Sequence, residues 1–173
     1  MKQILSIIIS LLFTVTVFSQ QYSSLNDKKK LSQYILKNWD AEAGLASESV
    51  NDIIQTDDGY IWVATYTGVT RFDGNNFKVF TAHNSGLQSS NVLKMDVDEQ
   101  GVLWLGTLHG ISRYYNDKIE LVPTLKAVKD ISIETIKHSS NGDIWFSTKS
   151  NQLFCYSNDS LYNFTKDFDV EKS

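Results

Sequence analysis

One cysteine, three histidines and a shortage of positive charge set the first limits on this chain of 173 residues. With Cys155 alone, no disulfide can form within the chain, so its stability must come from core packing. Cys155 lies in the apolar run Leu153-Phe154-Cys155-Tyr156 and reads as a small buried residue, with no base in its sequence context to make it a catalytic thiol. The 16 basic side chains are outnumbered by 20 acidic ones. A surface short of positive charge does not suit a phosphate backbone, which argues against nucleic acid as a partner. His83, His109 and His138 have no metal-ligand spacing, and Asp96-Val97-Asp98-Glu99-Gln100-Gly101 lacks the remaining ligands of a calcium loop and reads as a hairpin turn. No nucleophile elbow or phosphate-cradling loop is present. Catalytic residues, cofactor and metal are therefore all expected to be none.

Long hydrophobic runs are also scarce. Ile4 to Phe18 follows Lys2 and is interrupted only by Ser6, Ser10, Thr14 and Thr16. A membrane span needs about 20 apolar residues, so this shorter run reads as a secretory signal over residues 1–19, cleaved after Ser19. No cysteine follows it, so a lipoprotein signal does not fit. Loss of Lys2 with the signal leaves 15 basic against 20 acidic side chains, a net charge of −5. The expected location is periplasmic or exported.

What the chain has is a repeat. Trp62, Trp104 and Trp145 recur at intervals of 42 and 41 residues, each preceded by a glycine (Gly59, Gly101, Gly142) and followed by a threonine (Thr65, Thr107, Thr148). Val50, Val92 and Ile133 share a column, as do Ile53, Met95 and Ile136, and the small residues Ala64, Gly106 and Ser147. Gly68 and Gly110 align with Asn151, a residue that also tolerates positive φ. In the first unit, turn chemistry (Asp57-Asp58-Gly59, Thr67-Gly68, Asp73-Gly74-Asn75-Asn76) separates strands over Val50–Gln55, Tyr60–Thr65, Val69–Asp73 and Phe77–Thr81. The second strand is apolar throughout, as a strand buried on both faces would be. A four-stranded meander covered on both faces and repeated every 40–45 residues is a β-propeller blade. The fold class is all-β, with three four-stranded blades over residues 44–85, 86–126 and 127–162. They follow a linker and outer strand at 20–38 and precede a polar tail at 163–173. Trp62, Trp104 and Trp145 read as blade core, and Trp39 as packing beside the outer strand. Arg71 and Arg113 share a column that faces either solvent or a neighbouring blade.

The repeat resembles the two-component regulator propeller repeat. The first copy carries Gly44-Leu45, Val50, Ile53, Asp57, Gly59, Ile61-Trp62, Thr65, Gly68, Arg71-Phe72 and Asp73-Gly74. The second carries Gly86-Leu87, Val92, Met95, Asp98, Gly101, Leu103-Trp104, Thr107, Gly110, Arg113-Tyr114 and Asn116-Asp117. The third departs, with Val122-Pro123 in place of Gly-Leu, Asn151 in place of the glycine and one inserted residue before Leu153. The resemblance covers about residues 39–160 and implies a non-enzymatic periplasmic sensing module for an extracellular ligand, in many relatives a polysaccharide fragment.

Three blades do not close a ring, which takes four to eight. The expected partners are therefore further blades and signalling domains of a longer protein, with the membrane reached only through a span beyond residue 173. An arc of three blades would leave faces bare at its ends, an aggregation liability. Ligand contacts are expected on the turns that differ between blades: Tyr66 and Thr67, Leu108 and His109, Lys149 and Ser150. Two other readings remain open, an exported propeller enzyme of the lyase kind and a truncated, non-functional fragment.

Overall fold

The computed structural model describes residues 37–168. The signal segment, its cleavage after Ser19, residues 20–36 and the last five residues of the tail lie outside the described residues. Of the expected linker and outer strand at 20–38, the described part, Lys37 and Asn38, is not in a strand.

The described strands form three separate antiparallel meanders of four, each in sequence order. The first blade holds β1 (Val50–Gln55), β2 (Ile61–Thr65), β3 (Val69–Phe72) and β4 (Phe77–Phe80). The second holds β5 (Val92–Val97), β6 (Leu103–Thr107), β7 (Gly110–Tyr115) and β8 (Lys118–Leu121). The third holds β9 (Ile133–His138), β10 (Ile144–Thr148), β11 (Leu153–Ser157) and β12 (Ser160–Asn163). The first strands of successive blades, β1, β5 and β9, are neighbours, which puts them on the inside of the arc.

Local chemistry explains each meander. The β1–β2 hairpin closes through the Gly59 amide on the Thr56 carbonyl at 2.8 Å, and Gly101 on Asp98 and Gly142 on Ser139 repeat it at 2.9 and 2.8 Å. At the next turn, the Thr65 hydroxyl caps the Gly68 carbonyl at 2.8 Å, and Thr107 caps Gly110 at the same distance. In the third blade this turn holds the inserted residue, because the Thr148 amide reaches Gln152 rather than Asn151. Asn151 has φ +58°, as expected of a glycine substitute. Gly68 corrects the expectation for its column. It has no positive φ, and is glycine because a Cβ there would lie 2.7 Å from the Phe80 carbonyl oxygen.

The cores lie between blades, as they must when each sheet is one strand layer thick. One cluster joins Trp62, Ala64, Val69 and Phe80 to Leu87, Val92, Met95, Leu103 and Leu105 across the first seam. The other joins Trp104, Ile111 and Val122 to Ile133, Ile136, Ile144, Phe146 and Phe154 across the second. The small-residue column is small because the next blade presses on it: a Cβ on Gly106 would come within 2.8 Å of Ile133. Where the third repeat loses its Gly-Leu opening, a 3₁₀ turn over Pro123–Val128 drives Leu125 and Val128 into the second seam. They fill the place that Leu87 fills in the first.

Burial along the columns shows what a neighbour contributes. Val92, Ile133, Met95 and Ile136 are all buried, whereas Val50 and Ile53 of the first blade are 50% and 63% exposed. At the other end of the arc, Trp145 is only half-buried and packs on Phe164, 5.1 Å between ring centroids, which departs from the expectation that all three repeat tryptophans are core.

Candidate functional site

Among the clefts of the described residues, one lies on the inner turn face and another in the second seam. The first is a groove of about 460 Å3 where the β2–β3, β6–β7 and β10–β11 turns meet the starts of β1, β5 and β9. Each turn contributes one side chain: Tyr66, Leu108 and Lys149. The inner strands add Asn51, Leu93, Lys94 and Glu134, and the residues just before β5 and β9 add Asn91 and Ser132. Half of the turn residues singled out by sequence thus share one groove. The other half brace the turns. The Thr67 hydroxyl donates to the Ala46 carbonyl at 2.6 Å, the His109 amide to Thr107 Oγ1 at 3.1 Å, and the Ser150 hydroxyl to Gln152 Oε1 at 3.2 Å. Sequence reasoning missed Asn51, Asn91, Lys94 and Glu134. Their signal was variability: they flank the steady Val50/Val92/Ile133 column at positions that change from blade to blade.

The groove combines apolar faces with hydrogen-bonding groups. Tyr66 and Leu108 are large and exposed. Asn51 is held in place by donating to the Val92 carbonyl at 2.7 Å. Asn91 Oδ1 is a buried acceptor with no partner among the described residues.

The seams carry most of the electrostatics. In the first, Arg71 crosses from β3 to the second blade, where its guanidinium donates to the Tyr114 hydroxyl and lies 3.4 Å from Asp117. It also stands 4.2 Å above the Tyr60 ring and 5.8 Å from those of Trp62 and Tyr114. Tyr114 donates in turn to Asp117 at 2.7 Å. Burial, with the Asp117 carboxylate beside it, pushes the Tyr114 hydroxyl up to about 12. The hydrogen bonds from Tyr114 and Arg71 hold Asp117 below the usual carboxylate range. In the second seam, Arg113 stays on its own blade, donating to Glu120 through Nε at 2.9 Å and Nη2 at 2.6 Å. Tyr156 donates to Asp159 at 2.6 Å, and its hydroxyl is likewise raised to about 12 by burial and then by Asp159.

The second seam has a clamp of its own. Asp96 accepts the His138 amide at 2.6 Å, the His138 ring at 2.7 Å and the Lys137 ammonium at 2.9 Å. Burial works to raise its pKa, but these bonds outweigh it and hold the carboxyl below the ordinary aspartate value. Asp98 accepts the Gln100 and Val102 amides and the Trp104 indole N–H, the last at 2.8 Å. The acidic run that superficially suggested a calcium loop is thus occupied in holding blades. Among the described residues, no group of three or more His, Cys, Asp and Glu side chains could hold a metal ion. Cys155 is buried where the other blades carry Arg71 and Arg113, and burial pushes its thiol up, away from thiolate chemistry.

The blades, their order and their shared columns define three successive units of β-propeller architecture. Residues 44–67 match the model of the two component regulator propeller family. Histidine kinase P4 of Formosa agariphila is 35% identical over 68 residues, which are 39% of this chain and 5% of that protein. The extracellular domain of the one component system BT4673 from B. thetaiotaomicron is 28% identical with a TM-score of 0.59 over 69% of this chain and 17% of its own. That of the hybrid two component system BT3049 from the same organism shares the fold at 20% identity and a TM-score of 0.60, over 74% of this chain and 18% of its own. Virginiamycin B lyase from Staphylococcus aureus shares the fold alone, at 17% identity and a TM-score of 0.52, over 66% of this chain and 40% of its own. The chain therefore spans 5% of that kinase and less than half of these three solved chains.

Proposed function

We propose that this chain is the ligand-sensing part of an exported two-component-type sensor, and that its turn-face groove takes an extracellular ligand of the oligosaccharide class. The observation that carries this reading is the convergence of Tyr66, Leu108 and Lys149 from three successive blades on one groove. A sugar ring offers an apolar face and a rim of hydroxyls. Tyr66 and Leu108 suit the face, while Asn51, Asn91, Glu134 and Lys149 suit the rim. Ligand binding across three blades would favour one set of blade angles over another, which is the differential affinity a signal requires. The family of the repeat and the extracellular domains among the similar structures support the sensing role. In this reading the export signal is residues 1–19, cleaved after Ser19, the site of action is the periplasm, and the output module belongs to a longer protein.

The test is thermal-shift screening of the chain against oligosaccharides, followed by calorimetric titration. Tyr66→Ala and Lys149→Ala should each weaken a hit by about tenfold, the 1.4 kcal/mol of one lost stacking or charged contact. A hit that both variants bind as well as the parent would remove the groove from consideration. Mass analysis of the exported protein should find Gln20 at its N-terminus.

A further inference from the structure

The two seams present the same constellation in different states of occupancy. In the first, the guanidinium of Arg71 is held by the Tyr114 hydroxyl and Asp117, against the rings of Tyr60 and Trp62. One repeat later the holding groups recur, with the exception of the Tyr60 ring. Tyr156 stands in the Tyr114 position, opposite Leu161 as Tyr114 stands opposite Ile119. Asp159 stands in the Asp117 position, in the same left-handed turn, with φ +57° against +60°. Trp104 stands in the Trp62 position, 5.6 Å from Tyr156 where Trp62 is 4.6 Å from Tyr114. The guanidinium is what differs. Arg113 is held on its own blade by Glu120, and Val102 replaces the bulk of Tyr60. The result is a cleft of about 430 Å3 bounded by Trp104, Arg113, Tyr156 and Asp159.

From this internal template we infer that the cleft between the second and third blades binds a guanidinium group supplied from outside the chain. The ligand is an arginine side chain of a peptide or a small alkylguanidine. Its planar fork of donors takes the Asp159 carboxylate and the Tyr156 hydroxyl oxygen, and its face lies toward Trp104. Asp98 does not compete, since its oxygens already hold Trp104 and two backbone amides. Arg113 does not repel the guest strongly, because Glu120 neutralises it through two short hydrogen bonds. An alkylammonium lacks both the planar fork and the face, and is the discriminating control.

The experiment is a titration of the full chain with N-ethylguanidinium, argininamide and an arginine-containing tripeptide, followed by the indole N–H resonance of Trp104. The expected result is a saturable shift for the guanidinium compounds, at least about tenfold weaker for ethylammonium. Asp159→Asn keeps a residue suited to the left-handed turn and should lose about tenfold in affinity. Tighter binding of the tripeptide would assign the guest to a protein segment, and equal binding to a small molecule. Either supports the site. The inference is overturned if the Trp104 resonance does not saturate, if ethylammonium binds equally, or if Asp159→Asn binds as well as the parent. None of these results bears on the oligosaccharide groove, which lies on other residues.

Discussion

Between the first and second blades Arg71 crosses the seam to Tyr114 and Asp117, whereas Arg113, at the same place one repeat later, stays with Glu120. The cross-strand neighbour decides. Arg71 lies opposite Lys78 on β4, a like charge that turns it away from its own blade. Arg113 lies opposite Glu120 on β8, which holds it. Directly opposed charges in a sheet are worth about 0.2–1 kcal/mol in either direction, and the Tyr114 ring and hydroxyl across the seam, with the Tyr60 and Trp62 rings beside the guanidinium, add about 1–2 kcal/mol for a partly desolvated arginine. For Arg71 both terms favour crossing; for Arg113 the pair on its own sheet competes, and Val102 gives its guanidinium no ring like that of Tyr60 to lie on. The lesson is that a repeat can conserve every column of its scaffold and still assign a different task to the same residue, through one substitution on the adjacent strand.

The sharpest way to break this comparison is at Asp98, which has no counterpart in the first blade, where Thr56 stands. Asp98→Ala strips an acceptor from the Trp104 indole and two amides and should cost about 3 kcal/mol in urea unfolding. Thr56→Ala, losing a hydroxyl that bonds Asp58 and the Tyr60 carbonyl, should cost about 1 kcal/mol. Equal costs would mean that the indole bond contributes little. Next comes Arg71→Ala, expected to lower stability by about 2 kcal/mol because the side chain is only 15% exposed and bridges two blades. Arg113→Ala, 30% exposed and paired to a half-exposed Glu120, should cost at most about 1 kcal/mol. A reversed order in denaturant melts would refute the account of the seams.

Acid separates the seams further. The Asp96 carboxyl is held below its ordinary value of 3.8, so its contribution is present at neutral pH and fades as pH falls below that value. Asp96→Asn should flatten the loss of stability between about pH 4 and pH 2, measured by urea melts at each pH. An unchanged profile would place the acid sensitivity elsewhere. The smallest effects belong to conversions. Lys78→Glu should draw Arg71 back to its own blade and open the first seam, while Glu120→Gln should release Arg113 toward Tyr156 and Asp159. Each should change stability by about 0.5 kcal/mol, with the clearer readout in quenching of Trp62 or Trp104 fluorescence.

The blades themselves were legible in the sequence because their causes are local. Asp-Gly and Asn-Asp pairs set the hairpins, and apolar runs mark the strands covered on both faces. Val69–Phe72 and Phe77–Phe80 fall within a residue of the strands expected from those cues. The reason Gly68 is glycine was not legible, since it depends on the Phe80 carbonyl across the sheet. Nor was the division of labour among the turn residues. Tyr66 and Thr67 are adjacent and equally exposed to reading, yet one lines the groove and the other ties its turn to Ala46. Asn91 and Glu134 escaped because one lies just before and the other within a strand whose inward apolar residues dominate the pattern.

Trp39 gives the row of blades a direction. Its ring lies 5.1 Å from Phe72, the residue that occupies in the first blade the place of Tyr114 and Tyr156. Trp62 grips Tyr114 at 4.6 Å and Trp104 grips Tyr156 at 5.6 Å, so each of these three contacts runs from a tryptophan to the aromatic of the blade that follows it. The joints are therefore plug and socket, not mirror-symmetric faces. A duplicated or transplanted blade can be accommodated only when it keeps its plug pointing downstream and its socket upstream. Growth of such a repeat by whole units preserves that polarity without further change, whereas a unit cut at any other boundary would separate a plug from its socket and leave both neighbours unjoined.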